Sequence, residues 1–240
     1  MHDLTATIAR NLAQVRAEIA AAARTAGRKP EDVRLIAVSK THPPEAVAAA
    51  IAAGQMDFGE NTVQEALTKI PLYNSVTWHM IGHLQSNKAK FVPGNFAWVH
   101  SVDSLSLAQR LSRLAQGKGV VLDTLFEVNI TRDTAKHGLP PEELAPVLDT
   151  LLKEGHPGLR LRGLMTIGPY PATEADSRAC FARLRELRDD CRQRFGLKDF
   201  TELSMGMSGD YAAAIKEGAT MVRIGTAIFG KRDYSRDRPA

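Results

Sequence analysis

The sequence predicts an α/β fold, a single (β/α)8 barrel of TIM type with an additional N-terminal helix in front of it. Three observations carry that expectation. Short β-type runs alternate with helical patterns, the runs number eight, and 240 residues suit one such barrel without a large extra domain. A doubly wound open sheet accommodates the alternation too, but leaves the count of eight as a coincidence.

Taken in order, Leu4, Ile8, Leu12, Val15 and Ile19 recur at helical spacing, and Gly27 and Pro30 supply stop signals, so a helix opens the chain. Strands are then expected at residues 35–39, 57–59, 77–82, 98–102, 125–130, 161–167, 202–205 and 221–224. Helical patterns fill the intervals at 44–53, 62–70, 86–91, 104–116, 141–154, 175–195 and 211–217. No linker-like stretch interrupts the series. Residues 1–234 read as one domain and 235–240, SRDRPA, as a disordered tail.

Composition excludes several classes. An apolar fraction of 44% and a charged fraction of 24% are those of an ordinary globular protein, and no apolar run is long enough to cross a membrane. The net charge is only +4, and bases alternate with acids, as in RLRELRDDCRQR at 183–194, which is the pattern of a solvated helix face rather than a nucleic-acid groove. Cys180 and Cys191 fall in one expected helix, roughly 16 Å apart by helical rise, too far for a disulfide. The first residues carry acids and a helical pattern instead of an export signal, so a cytoplasmic protein is expected.

In a barrel the chemistry sits where strands hand over to the following loops. The first strand ends there on Lys40, in LIAVSK. A lysine at a strand end can snorkel to water, pair with an acid, or, when desolvated, offer an uncharged amine to a carbonyl as a Schiff base. Alternation puts Ile36, Val38 and Lys40 on one face and Leu35, Ala37 and Ser39 on the other, without saying which points inward.

The seventh and eighth βα units, ELSMGMSGDYAAAIKEG and MVRIGTAIFGKRDY, each join a strand to a glycine-bearing turn with Ser or Thr and then a helix start. Barrels often bind phosphate between these loops. Ser208, Gly225 and Thr226 are the expected donors, with plain capped turns as the other explanation. GTAIFGKR at 225–232 is not a P-loop, because Arg232 stands where Ser or Thr must hold Mg²⁺. Arg223, a cation inside an apolar strand, needs a partner, for which an acid such as Glu60 qualifies. His79 and His83 have the spacing of helical zinc ligands, but Gly82 and the β-type run argue against a helix; His79 is expected to hydrogen-bond in the barrel mouth. Asn61 and Asn129 end strands, where an amide can face a ligand or cap the next turn.

An amine on the first strand and a phosphate nest after the last two suit a ligand with an aldehyde at one end and a phosphate at the other, which describes pyridoxal 5′-phosphate (PLP). AVSKTHP, FGENTVQE, WHMIGHLQSNK, RLRGLMTIG, SMGMSGDYAAAI and MVRIGTAIFG also resemble, in matching order, the signatures of the YggS/PROSC family, the pyridoxal phosphate homeostasis proteins. The resemblance spans the chain from about Leu35 to Tyr234.

It implies a barrel of the alanine racemase N-terminal type, with PLP joined to Lys40, its phosphate on Ser208, Gly225 and Thr226, Arg223 at the pyridine nitrogen and Asn61 near the ring; His79 and Asn129 complete the expected cofactor set. Thr62, where an aromatic residue is frequent, and the His137–Gly138 pair, where Ser-Gly is commoner, depart from the family pattern. Racemases of this type take a second base, a tyrosine, from an additional domain, and none of Tyr73, Tyr170, Tyr211 and Tyr234 is an evident substitute. The expectation is therefore a PLP carrier without efficient turnover, acting in vitamin B6 and amino-acid homeostasis as the resemblance implies; a monomer, and PLP-dependent apo-enzymes as recipients, are expected as well. The rival readings are a weak PLP-dependent amino-acid racemase and a cofactor-free Schiff-base aldolase acting on a phosphorylated sugar.

Overall fold

The computed structural model describes residues 2–230; the expected tail at 235–240 and the end of the expected domain at 231–234 lie outside the described residues. Eight parallel strands close into a barrel in chain order: β1 (Arg34–Val38), β2 (Asp57–Glu60), β3 (Thr77–Met80), β4 (Trp98–Val102), β5 (Leu122–Glu127), β6 (Leu159–Met165), β7 (Glu202–Ser204) and β8 (Met221–Ile224). The seam between β8 and β1 pairs Arg34 with Met221 and Ala37 with Ile224.

Helices wrap the outside: α1 (His2–Thr25), α2 (Pro44–Ala52), α3 (Val63–Lys69), α4 (Leu105–Gly117), α5 (Pro141–Glu154), α6 (Glu174–Phe195), α7 (Tyr211–Lys216) and α8 (Thr226–Phe229). Local signals explain their ends. Thr62, Ser104 and Thr173 accept backbone N–H groups as N-caps of α3, α4 and α6, and Gly196 closes α6 in the left-handed conformation. The helical pattern at 86–91 forms a 3-10 helix instead, six residues running into Pro93, too short to sustain an α-helix against that stop.

Alternation along the strands divides the core in two. Leu35, Ala37, Phe58, Phe126 and Leu203 face outward into the larger layer beneath the helices, while Ile36, Trp98, Leu125, Met165 and Met221 fill the barrel itself. The inward face of β1 is thus the one that leads through Ile36 and Val38 to Lys40. α1 buries Ile8, Leu12, Val15, Ile19 and Ala23, leaving only Leu4 of its expected stripe exposed, and packs on α2, α7 and α8. β5 begins at Leu122, three residues before its expected start, because polar Asp123 and Thr124 hide the strand pattern; Asp123 accepts both bonds from Arg160 across the β5–β6 pair.

Candidate functional site

A cavity of about 690 Å³ opens at the carboxyl end of the barrel, lined by residues from the loops after β1, β2, β3, β5, β6, β7 and β8. That volume is in the range of cofactor sites. Six of the eight expected residues line it: Lys40, Asn61, Ser208, Arg223, Gly225 and Thr226.

A buried polar cluster outside the barrel wall holds the Lys40 segment. Ser39 Oγ donates to Glu60 Oε1 at 2.7 Å, and Lys69 Nζ donates to the Ser39 carbonyl at 2.8 Å, to Glu60 Oε1 at 2.8 Å and to Glu65 Oε1 at 2.7 Å. The Thr41 N–H donates to Glu65 Oε1 as well, and Thr41 sits at φ 65°, an uncommon conformation for a β-branched residue. Ser39 and Thr41 are therefore gripped on both sides of Lys40. Burial raises the Glu60 pKa above its ordinary value, against the opposing pull of Lys69.

Glycines let the loops converge. A Cβ on Gly82 would lie 2.3 Å from the Asn61 carbonyl oxygen, and one on Gly225 would lie 3.0 Å from that of Val38, so the β2 and β3 loops, and β8 and β1, close on each other only because those side chains are missing. In the β7 loop, Met207 N donates to Asp210 Oδ1 at 2.6 Å, and this turn carries Ser208 at the cavity surface.

Arg223 projects from β8, buried, with Nη1 donating to Ser204 Oγ at 2.7 Å and Nη2 to the Thr166 carbonyl at 2.9 Å. Its partners are thus a hydroxyl and a carbonyl rather than Glu60, which faces outward. Desolvation brings its pKa down to about 10, still cationic at neutral pH. Glu127, at the end of β5, lines the same cavity, and burial pushes its carboxyl up to about 7, with Asp103 adding to the rise and Arg223 opposing it. Lys136 reaches across the rim to the Gly168 carbonyl at 2.8 Å.

Two expected residues do not line the cavity. His79 points into the barrel interior below it, its Nε2 3.0 Å from Asp57 Oδ1 and its Nδ1 3.0 Å from His100 Nε2, because position 79 on β3 is an inward position short of the strand's end. Asn129 turns back on its own loop, Nδ2 donating to the Asp133 carbonyl at 2.8 Å and Oδ1 accepting from Asp133 N and Thr131 Oγ1, which is the capping role of an amide after a strand. Nor do His79 and His83 form a zinc pair: His83 sits at the exposed rim, Nδ1 3.1 Å from Asp103 Oδ2. Its ring stacks on His137 at 3.7 Å and 9°, and His83, Asp103 and His137 bring their ligand atoms within 4.8 Å of one another at the rim, a grouping that does not include His79.

Sequence reasoning missed Glu127, Ser204 and Lys69. Ser204 and Glu127 are the last residues of β7 and β5, and a polar or charged residue at a strand end is the signal that found Lys40. Lys69, on α3, carries no such signal.

Comparison with known proteins gives a consistent set. The family described as "Alanine racemase, N-terminal domain" matches residues 10–233. The pyridoxal phosphate homeostasis protein of Pseudomonas aeruginosa is 51% identical over 234 residues, covering 95% of this chain and 97% of that one. The protein of the same name from Escherichia coli K12 is 45% identical over 239 residues, covering 95% and 98%. Among solved structures, PipY of Synechococcus elongatus PCC7942 with PLP bound has a TM-score of 0.83 at 41% identity, covering 93% of this chain and all of that one. Alanine racemase from Corynebacterium glutamicum, at 17% identity and a TM-score of 0.69 with 62% of that chain covered, shares the fold.

Proposed function

The chain belongs to the alanine racemase N-terminal domain family and to its pyridoxal phosphate homeostasis proteins, and on that premise we propose that it binds PLP in the barrel-mouth cavity and serves PLP homeostasis. The observation that carries the reading is the convergence on one cavity of Lys40, a buried Arg223, and the hydroxyl-bearing turns at Ser208 and Gly225–Thr226. An amine, a ring partner and an anion cradle are the three things this cofactor's functional groups require.

PLP supplies an electrophilic aldehyde and, when its ring nitrogen is protonated, an electron sink. Lys40, which lines the cavity, would hold it covalently. Ser208, Gly225 and Thr226 offer hydroxyl and backbone donors to the phosphate, where charge-assisted bonds are the strong ones. Arg223, cationic and fixed by Ser204 and Thr166, can only donate, so it would disfavour a proton on a ring nitrogen held against it and would weaken the electron sink. Asn61, which also lines the cavity, would lie near the ring. Of the described tyrosines, Tyr73 donates to the Pro44 carbonyl and Tyr211 to Glu18, while Tyr170 stands at the rim 93% exposed. None is positioned and desolvated as a second base. These features favour carriage over turnover; apo-enzyme recipients, a monomeric working form and a cytoplasmic compartment belong to the same proposal and rest on the sequence reading alone. No helix among the described residues is long and apolar enough to cross a membrane.

The test is a visible absorption titration with PLP. The wild type should develop a yellow band, and borohydride should fix the cofactor to the peptide containing Lys40; Lys40→Ala should stay colourless with its fold intact. A coloured Lys40→Ala protein would refute the assignment. Glu127 favours one rival, a weak amino-acid racemase, since a cavity carboxyl with a pKa near 7 can accept a proton. That rival requires interconversion of alanine enantiomers faster than with free PLP and loss of the activity in Glu127→Gln.

A further inference from the structure

Five polar groups run in file down the inside of the barrel. From the cavity, Arg223 Nη1 donates to Ser204 Oγ at 2.7 Å; Ser204 Oγ lies 2.8 Å from His100 Nδ1; His100 Nε2 lies 3.0 Å from His79 Nδ1; and His79 Nε2 lies 3.0 Å from Asp57 Oδ1. Asp57 is the first residue of β2, at the amino end of the barrel, where it borders a second, shallower groove with Arg16 and Gln55. The line therefore crosses the barrel from one end to the other.

Its direction is fixed at both ends. A guanidinium has no acceptor and a carboxylate has no donor. Ser204 thus spends its lone pair on Arg223 and its proton on His100 Nδ1; His100 carries its proton on Nε2 and gives it to His79 Nδ1; His79 carries its own on Nε2 and gives it to Asp57. Every dipole points its negative end at the guanidinium and its positive end at the carboxylate, the arrangement in which successive bonds polarise one another. Both imidazoles are completely buried, and desolvation holds their pKa values below the ordinary one, that of His100 well below, so each has a single proton to place. Trp98 stacks on His79 at 5.7 Å and meets His100 edge-on at 6.1 Å, with Ile36, Leu125, Met165 and Met221 packed around it.

We propose that Asp57, His79, His100 and Ser204 form a one-way hydrogen-bonded relay that positions Arg223 against the cofactor ring, so that a carboxylate at the amino end of the barrel acts on a ligand held at the carboxyl end. The relay rests on the reading that Arg223 faces the PLP ring nitrogen. Ser204 is the link to the cavity residue, and His79 enters the cofactor site through this line rather than by contact. The four are positioning residues, since only Arg223 meets the ligand.

The first readout needs no cofactor. In ¹⁵N-labelled protein, the long-range ¹H–¹⁵N spectrum should show His79 and His100 neutral with the proton on Nε2 in both. Asp57→Asn, which replaces an obligate acceptor with an amide that can also donate, should disturb His100, two links away, as well as His79. A proton on Nδ1 of His100 in the wild type, or a His100 unaffected by Asp57→Asn, overturns the relay.

The second readout is the PLP absorption band and affinity. Asp57→Asn and Ser204→Ala should each move the band and weaken binding about fivefold, and Asp57→Asn should have no further effect in the Ser204→Ala background. A simply additive double variant would make Asp57 an independent structural contributor and overturn the relay. An unmoved band in Asp57→Asn with altered imidazoles would overturn its action on the ligand. Should Asp57→Asn fail to fold, Ser204→Ala still decides, because loss of the Ser204 donor must then change the His100 signal. Failure of the cofactor reading looks different: Arg223→Gln would leave band and affinity unchanged while the imidazole tautomers remain as described.

Discussion

Replacing Lys69 with Met tests the buried cluster that grips the Lys40 segment. Lys69 is 2% exposed and Glu60 0%, and Glu60 Oε2 already has no hydrogen-bond partner among the described residues. Methionine keeps most of the apolar stem but removes the charge that offsets the Glu60 carboxylate. Breaking a buried ion pair from one side costs about 3–5 kcal/mol. Protonation of Glu60 limits the loss, so we expect about 3 kcal/mol by urea unfolding and a fall in Tm of roughly 6–12 °C, at 2–4 °C per kcal/mol for a chain of this size. The pH dependence has a definite sign. An acid whose pKa is raised on folding holds a proton in the native state that the unfolded chain has released, so its contribution to stability falls as pH rises through that window. The deficit of Lys69→Met should therefore shrink between pH 8 and pH 5. Lys69→Met/Glu60→Gln should recover part of it at neutral pH. PLP retention should fall in the single variant too, because the Ser39 carbonyl and the Glu65 carboxylate that holds Thr41 N both lose their tie. A loss under about 1 kcal/mol, or one independent of pH, would show that the pair is not uncompensated as described.

Glu127→Gln should become progressively more stable than the wild type as pH rises. The displacement of Glu127 from 4.5 to about 7 corresponds, at about 1.4 kcal/mol per unit, to roughly 3 kcal/mol that the wild type loses between those values and the variant does not; parallel urea-unfolding profiles would contradict it. Thr226→Ala should weaken PLP retention by about 1–2 kcal/mol, one hydrogen bond to a charged group, with thermal stability nearly unchanged. Unchanged affinity in equilibrium dialysis would remove Thr226 from the phosphate cradle.

The barrel was legible because its two periodicities are clean: eight apolar runs sit at strand spacing, and the stripe of α1 repeats at helical spacing. Strand ends were less so. The run at 77–82 extends past β3, which stops at Met80, and the run at 161–167 misses the start of β6 at Leu159, where exposed Arg160 interrupts the apolar pattern. Within the site, Lys40, singled out as a cation at a strand end, and Arg223, singled out as a cation inside an apolar strand, both line the cavity. His79 and Asn129 do not, since a strand position alone fixes neither depth in the barrel nor whether an amide turns to its own loop. Lys69 was invisible for a different reason: its partners Ser39, Glu60 and Glu65 meet only when α3 packs on the barrel wall.

α1 supplies a final consequence. Its apolar stripe rests on α2, α7 and α8, Tyr211 on α7 bonds to Glu18, and Asn11 Nδ2 donates to the Ile228 carbonyl at 2.9 Å in the short helix that carries Thr226. α1 is thus clasped to elements 193 and 217 residues further along the chain. A substitution of Asn11 would therefore be felt far away in sequence, in the turn beside Thr226.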